Sequence, residues 1–216
     1  MLYIKKGEGP ASLTKYRKQK FAYYDGYKEK DDIRENLLKE QGYLCAYCTR
    51  RIDMAHMKIE HWYPEERLED AQRLDYQNML GVCLGHISGT KGSDDTCDAH
   101  KGSELIKVNP LDKSSLLTIK YKSSTGEIYS EDKDIQKDID ITLNLNSTRH
   151  LLKENRKELL NVLISEMSKM QKRGIWNKKI LEAMRTKYEN VNSEGKKSEY
   201  AGIALWYLDK RLKNVK

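Results

Sequence analysis

Long hydrophobic runs are missing from this chain of 216 residues: the longest apolar stretches are a handful of residues, where a membrane-spanning helix needs roughly 20. Nor does an apolar segment follow the N-terminus, since Met1-Leu2-Tyr3-Ile4 gives way at once to Lys5-Lys6-Gly7. These two absences exclude a secreted or integral membrane protein and lead us to expect a cytoplasmic one with no membrane partner. Internal repeats and low-complexity linkers are absent too, which removes repeat architectures. Cysteine is scarce, with four residues in all. In a chain without an export signal, those four read as metal ligands before disulfides. Charge is plentiful: 34% of residues are charged and 38% apolar, and the mean hydropathy is -0.83. The apolar residues nevertheless cluster and recur periodically, so the chain is no disordered polyampholyte; its length fits one to two small domains.

The net charge of +7 is unevenly spread. Residues 147–216 carry 17 Lys/Arg against 8 Asp/Glu, while the rest is nearly neutral. A basic C-terminal third is compatible with a polyanion or an acidic partner, and equally with a solvated helical surface. The first thirty residues interleave basic and aromatic side chains, among them Tyr16, Arg17, Lys18, Lys20, Phe21, Tyr23, Tyr24 and Tyr27. Such a segment can stack on bases and neutralise phosphates, or pack against its own domain or a partner.

Cysteine positions are more specific. Cys45-Ala-Tyr-Cys48 is a knuckle in which one tight turn offers two thiolates to one ion; Cys83 and Cys97 follow downstream and complete a tetrahedral zinc site. Around them the periodicities are ordinary. Asp31 or Asp32 can cap a helix that carries Ile33, Leu37 and Leu38 and stops at Gly42. Residues 65–74 read as a short exposed helix or loop, 84–96 as a loop, and 116–121 with 127–130 as a β-hairpin. From Ser147 the pattern turns helical, with Leu151, Leu152, Leu159, Leu160, Leu163, Met167 and Met170 on one stripe closed by Gly174. Two further helices are expected near 175–190 and 196–213.

Three segments accompany the cysteines: Ile59-Glu60-His61-Trp62-Tyr63-Pro64, Asp75 to Cys83 with Asn78 five positions before the third cysteine, and Cys97-Asp98-Ala99-His100-Lys101-Gly102. In this order they resemble the HNH endonucleases. The resemblance implies a zinc-stapled ββα-metal core in which Cys45, Cys48, Cys83 and Cys97 hold structural Zn2+. Glu60 and His61 would be the acidic-His pair, Asn78 the middle Asn and Lys101 the final lysine. Two departures stand out. Thirteen residues separate Cys83 from Cys97 where the family has two, and Asp98 stands where it commonly has His or Asn. The register favours Asp98, with Glu60, as ligand of a catalytic Mg2+ or Mn2+, and His100 is the alternative. His61 would be the general base, Asn78 would orient the His61 loop, and Lys101 would contact a phosphate or brace the helix end.

The opening Ile4-Lys5-Lys6-Gly7 through Pro10 and Leu13, together with Leu143-Asn144-Leu145-Asn146 before a long Leu-rich helix, narrows the likeness to the PtuB-type HNH subunit of Septu-type bacterial defence systems; related subunits accompany some retrons. What this implies is anti-phage immunity alongside an ABC/SMC-like ATPase of the PtuA type, and in a retron setting a reverse transcriptase with its RNA–DNA product. The expected protein is α+β: a basic, aromatic arm and helix at 1–41, the nuclease core at 42–110, a hairpin and connector at 111–146 and a basic helical region at 147–216. DNA is the expected substrate and tRNA or other RNA the alternative, since a phosphate-gripping site does not read bases. The rival reading is a zinc-knuckle scaffold whose catalytic centre is degenerate.

Overall fold

The computed structural model describes residues 1–171 and 176–215. In chain order the elements are α1 (Ala11–Tyr16), α2 (Lys30–Gln41), β1 (Met57–His61), α3 (Asp70–Arg73), β2 (Met79–Cys83), α4 (Asp98–Lys101), α5 (Lys113–Leu116), β3 (Ile119–Tyr121), β4 (Ile128–Ser130), α6 (Lys133–Lys137), α7 (Leu152–Met170), α8 (Lys178–Glu189) and α9 (Ala201–Leu212). The class is α+β, with two small antiparallel sheets, β1–β2 and β3–β4. None of the described helices is long and apolar enough to cross a membrane.

Helix α2 buries Ile33, Leu37 and Leu38 and ends at Gly42, whose φ of 61° gives the left-handed stop that glycine adopts without cost. Its start differs from the sequence expectation. The helix begins at Lys30, so Asp31 and Asp32 lie in its first turn, where acidic groups favour the dipole, and neither is the cap. At the far end the buried Gln41 side chain donates to the Leu44 and Gly81 carbonyls, 2.7 Å each, and accepts from the Gly81 amide. One amide group thus fastens the helix both to the turn after it and to β2.

Strands β1 and β2 pair in register from Met57↔Cys83 to His61↔Met79. That register sets Glu60 opposite Leu80 and delivers Cys83 at the end of β2. The 13-residue loop that follows is closed on itself: the Thr96 amide donates to the Gly85 carbonyl at 2.8 Å, and His86 pairs with Asp95. Gly85 has a φ of 68° and lies so close to Thr96 that an added Cβ would sit 2.2 Å from the Thr96 carbonyl oxygen, so no other residue fits there. Beyond the loop, the Cys97 amide donates to the Leu143 carbonyl, and one-turn α4 begins.

The expected hairpin is β3–β4, shorter than the sequence range because Leu116 ends α5 instead of opening a strand. Asn146 bonds both the amide and the carbonyl of Ile128, which pins the hairpin to the segment before α7. Helix α7 starts at Leu152, after Leu151 turns the chain at a φ of 52°. Leu151 and Met170, expected on the buried stripe, are exposed, and Arg156 occupies the stripe instead. Its guanidinium donates to the carbonyls of Gly126 and Leu145, so a charged residue earns its buried place by satisfying orphan acceptors. The expected helix stop at Gly174 lies outside the described residues. Helices α8 and α9 occupy narrower ranges than 175–190 and 196–213, and α9 packs on both α7 and α8.

Candidate metal centre and catalytic cleft

The knuckle turn is built by its own backbone. The Cys45 amide donates to the Arg50 carbonyl, the Thr49 amide to the Cys45 carbonyl, and the Ala46 amide reaches across to Gly81 on β2. Cys83 arrives from the end of β2 and Cys97 from the start of α4, so three separate stretches of chain meet. The four sulfurs lie within 4.8 Å of one another and all four residues are buried. Cys45–Cys97 and Cys48–Cys83 are each 3.8 Å apart. A tetrahedron with metal–sulfur bonds of about 2.3 Å has edges of about 3.8 Å, so the cluster has the dimensions of a zinc-thiolate site. It is too open for disulfides, whose sulfurs are about 2.05 Å apart. Thiol proton affinities are split. Contacts with Cys45 and Cys48 push Cys83 well above the ordinary value and burial does the same to Cys97. For Cys45 the opposing cost of burial is outweighed by hydrogen bonds from the other three thiols, which hold it well below. Four sulfurs this close cannot all ionise without a cation, and the donor set fits a metal ion such as zinc. His86, on the loop, pairs with Asp95 and is not part of this group.

Beside this closed cluster lies an open cleft of about 510 Å3, lined among others by Glu60, His61, Glu65, Arg73, Asp98 and Lys101. Glu60 is buried on β1. Its Oε1 accepts from the Lys101 ammonium at 2.7 Å and from the Tyr47 hydroxyl at 3.1 Å. Burial first, and then the neighbouring Asp98 carboxyl, raise the Glu60 pKa to about 8 despite Lys101. Asp98 is thus the acidic neighbour of Glu60 in the cleft. Asp98 opens α4 and sits 3.8 Å from the Lys58 ammonium.

His61 ends β1 and is buried. Its Nε2 lies 2.7 Å from the Arg73 carbonyl oxygen, and because a carbonyl only accepts, Nε2 carries the proton. The lone pair is thus on Nδ1, which lies 3.5 Å from Glu65. Burial lowers the imidazole pKa, which keeps the ring neutral. Tyr24 packs edge-on against it, with ring centroids 4.9 Å apart.

Of the remaining sequence candidates, Asn78 and His100 fall outside the cleft, while Lys101 lines it. Asn78 lies outside the cleft; it accepts from the Tyr63 amide at 2.8 Å and donates to the Tyr63 carbonyl at 3.0 Å, clamping the turn that leaves His61. His100 turns its Nδ1 toward the Thr142 carbonyl, 3.1 Å away, and does not line the cleft. Lys101 is 2% exposed and its ammonium points inward to Glu60 and the His61 carbonyl, so it braces the acid-histidine pair and has no free face for a phosphate. Tyr47, Tyr24 and the Arg73 carbonyl were not singled out for this site from the sequence. Only Tyr47 carried a signal there, as the aromatic between two knuckle cysteines.

No family model matches the chain. It is similar to "Retron Vc95 putative HNH endonuclease" of Vibrio cholerae serotype O1 biovar El Tor, 26% identical over 195 residues, which cover 82% of this chain and 92% of that protein. It is also similar to "Retron Ec83 putative HNH endonuclease" of Escherichia coli, 30% identical over 95 residues, or 37% of this chain and 36% of that protein. These likenesses support the HNH endonuclease family for this chain and point to a nuclease.

Proposed function

We propose that the chain is a metal-dependent HNH endonuclease that hydrolyses phosphodiester bonds, with DNA as its substrate, on a zinc-stapled ββα-metal core. The observation that carries the reading is the convergence of Glu60, His61 and Asp98 on one open cleft beside a sealed thiol cluster. Zinc at Cys45, Cys48, Cys83 and Cys97 is structural in this reading, because four thiolates leave no open position for water.

Glu60 and Asp98 fit a Mg2+ or Mn2+ ion, which is commonly held by one or two carboxylates and otherwise by water. When bound, such an ion neutralises charge on the non-bridging and leaving oxygens of the phosphate. His61 Nδ1 takes a proton from water; the resulting hydroxide attacks phosphorus, the P–O3′ bond breaks, the 3′ oxygen takes a proton from solvent and His61 returns its proton to solvent. The Arg73 carbonyl and the Tyr24 ring fix the imidazole for that transfer, while Lys101 and Tyr47 hold Glu60. Asn78 fixes the exit turn and touches no reacting atom.

The retron names of both relatives and the Septu-like segments support a place in anti-phage defence, with an ABC/SMC-like ATPase as partner. A plasmid-nicking assay in Mg2+ or Mn2+ tests the chemistry. His61→Ala should lower cleavage by about 100-fold or more, the usual contribution of a general base, with the fold and zinc content kept and the melting temperature lowered by loss of the buried ring and its bond to the Arg73 carbonyl. Equal cleavage by both proteins would reject the assigned base, and no cleavage by either would leave a zinc-knuckle scaffold.

A further inference from the structure

The structure divides the N-terminal aromatic-basic segment into two halves. Tyr24 and Tyr27 are buried, Tyr24 against His61 and Tyr27 against Tyr16 and the Ser12 hydroxyl. The Tyr16 hydroxyl donates to the Tyr23 carbonyl and closes the stretch between them into a defined loop. That loop carries the other half outward. Phe21, the only phenylalanine in the sequence, is 81% exposed, and Tyr23 is 49% exposed. Lys15, Arg17, Lys18 and Lys20 are exposed around them, none in an ion pair among the described residues, and residues 11–24 contain no acid. Arg17 also lines a second opening of about 470 Å3 with Tyr63 and Asn78, on the turn that leaves His61.

An exposed ring costs solvation unless something covers it, and unpaired cations seek anions. Both demands are met by one class of ligand, nucleic acid with unpaired bases, in which each base offers a π-face and each linkage a phosphate. We infer that the Arg17–Tyr23 loop is a clamp for single-stranded nucleic acid, with Phe21 and Tyr23 stacking on unpaired bases beside the cut and Arg17, Lys18 and Lys20 contacting the flanking phosphates. The inference rests on the endonuclease reading for its position beside a cut, but its binding chemistry is separable. Tyr23 is the chain neighbour of Tyr24, whose ring packs on His61.

The test is fluorescence anisotropy without added Mg2+ or Mn2+, using a labelled single-stranded DNA, the same sequence as RNA, and the matching DNA duplex. Phe21→Ala should weaken single-strand binding by about fivefold or more, the effect of losing one stacked base, and duplex binding by less than about twofold. The two single strands, compared side by side, show whether the clamp serves DNA or RNA. Replacing Arg17, Lys18 and Lys20 by Gln should make the salt dependence of log K shallower by roughly two, at about 0.7 per phosphate contact on a single strand. Because these side chains are exposed, melting temperatures should not move. Equal loss on duplex and single strand after Phe21→Ala would overturn the unpaired-base clamp. No loss from either variant would overturn the interface and make the loop a surface for a protein. Turnover of bis(p-nitrophenyl) phosphate, which has no base, should be the same in native protein and Phe21→Ala; its failure in both would sink the endonuclease reading and leave the binding result to decide this one.

Discussion

The sulfur cluster and the carboxylate cleft are built from the same short span of chain, yet they differ in every physical respect. The cluster is sealed, has soft donors and admits no water; the cleft is open, has hard oxygen donors and an imidazole whose Nδ1 faces the Glu65 carboxylate. A sealed site of four donors keeps its ion and stiffens the fold, whereas a site with two carboxylates can exchange ions and take a substrate. Tyr47 joins them, rooted between two cysteines and bonded to Glu60. The closed site thereby positions the open one.

The largest expected effect comes from breaking the closed site. Cys45→Ser should lose the bound zinc and with it the cooperative thermal transition, since metal binding in such sites contributes on the order of 10 kcal/mol of folding free energy. Zinc analysis and circular dichroism would read this. A variant that melts like the native protein would make the thiols an ordinary part of the core. At the open site, Asp98→Ala should raise the Mn2+ concentration needed for half-maximal cleavage by about tenfold or more, in line with a charged contact worth about 1.5 kcal/mol or more. His100→Ala, which leaves the cleft lining intact, should change it by less than about twofold; the reverse order would exchange their roles.

The link between the sites predicts a smaller effect. Tyr47→Phe removes one hydrogen bond of about 1 kcal/mol, roughly a fivefold change, and should shift the Mn2+ requirement by that factor with zinc content unchanged. Zinc loss in this variant would place the hydroxyl's role in the knuckle instead.

Away from both sites, a pH effect on stability is expected at the packed N-terminus. Lys6 lies over the Tyr76 ring, donates to the Met79 carbonyl and pairs with Glu40; Asp75 is its other charged neighbour. Burial lowers its pKa from 10.5 to about 8. Between those values the unfolded chain holds a proton that the folded one has released, so stability rises with pH across that window. Relative to Lys6→Met, the native protein should gain stability from pH 8 to 10.5 in urea titrations. A flat difference would show that Lys6 remains charged.

Much of this was legible in the sequence because some chemistry is local. Sulfur spacing announces a tetrahedral site, and the helix carrying Ile33, Leu37 and Leu38 followed from periodicity and its glycine stop. The α+β class also emerged. What was hidden depends on partners distant along the chain. Lysine in a sequence reads as surface, yet Lys101 is buried because Glu60, 41 residues earlier, needs its charge. Arginine reads the same way, but Arg156 enters the core to serve carbonyls at positions 126 and 145. The start of α2 was misplaced because two plausible acidic caps stand side by side, and the chain enters the helix before either.

The staple between Gly85 and Thr96 has a practical outcome for how this lineage can vary and how the protein can be engineered. Since the stem fixes both of its own ends and Asn144 holds the Asp95 carbonyl beside it, lengthening the exposed tip adds only a slowly growing entropic cost. Epitopes, fluorophores or whole inserted modules grafted between residues 88 and 93 would ride on the outside while the ion-holding geometry underneath stayed as it is.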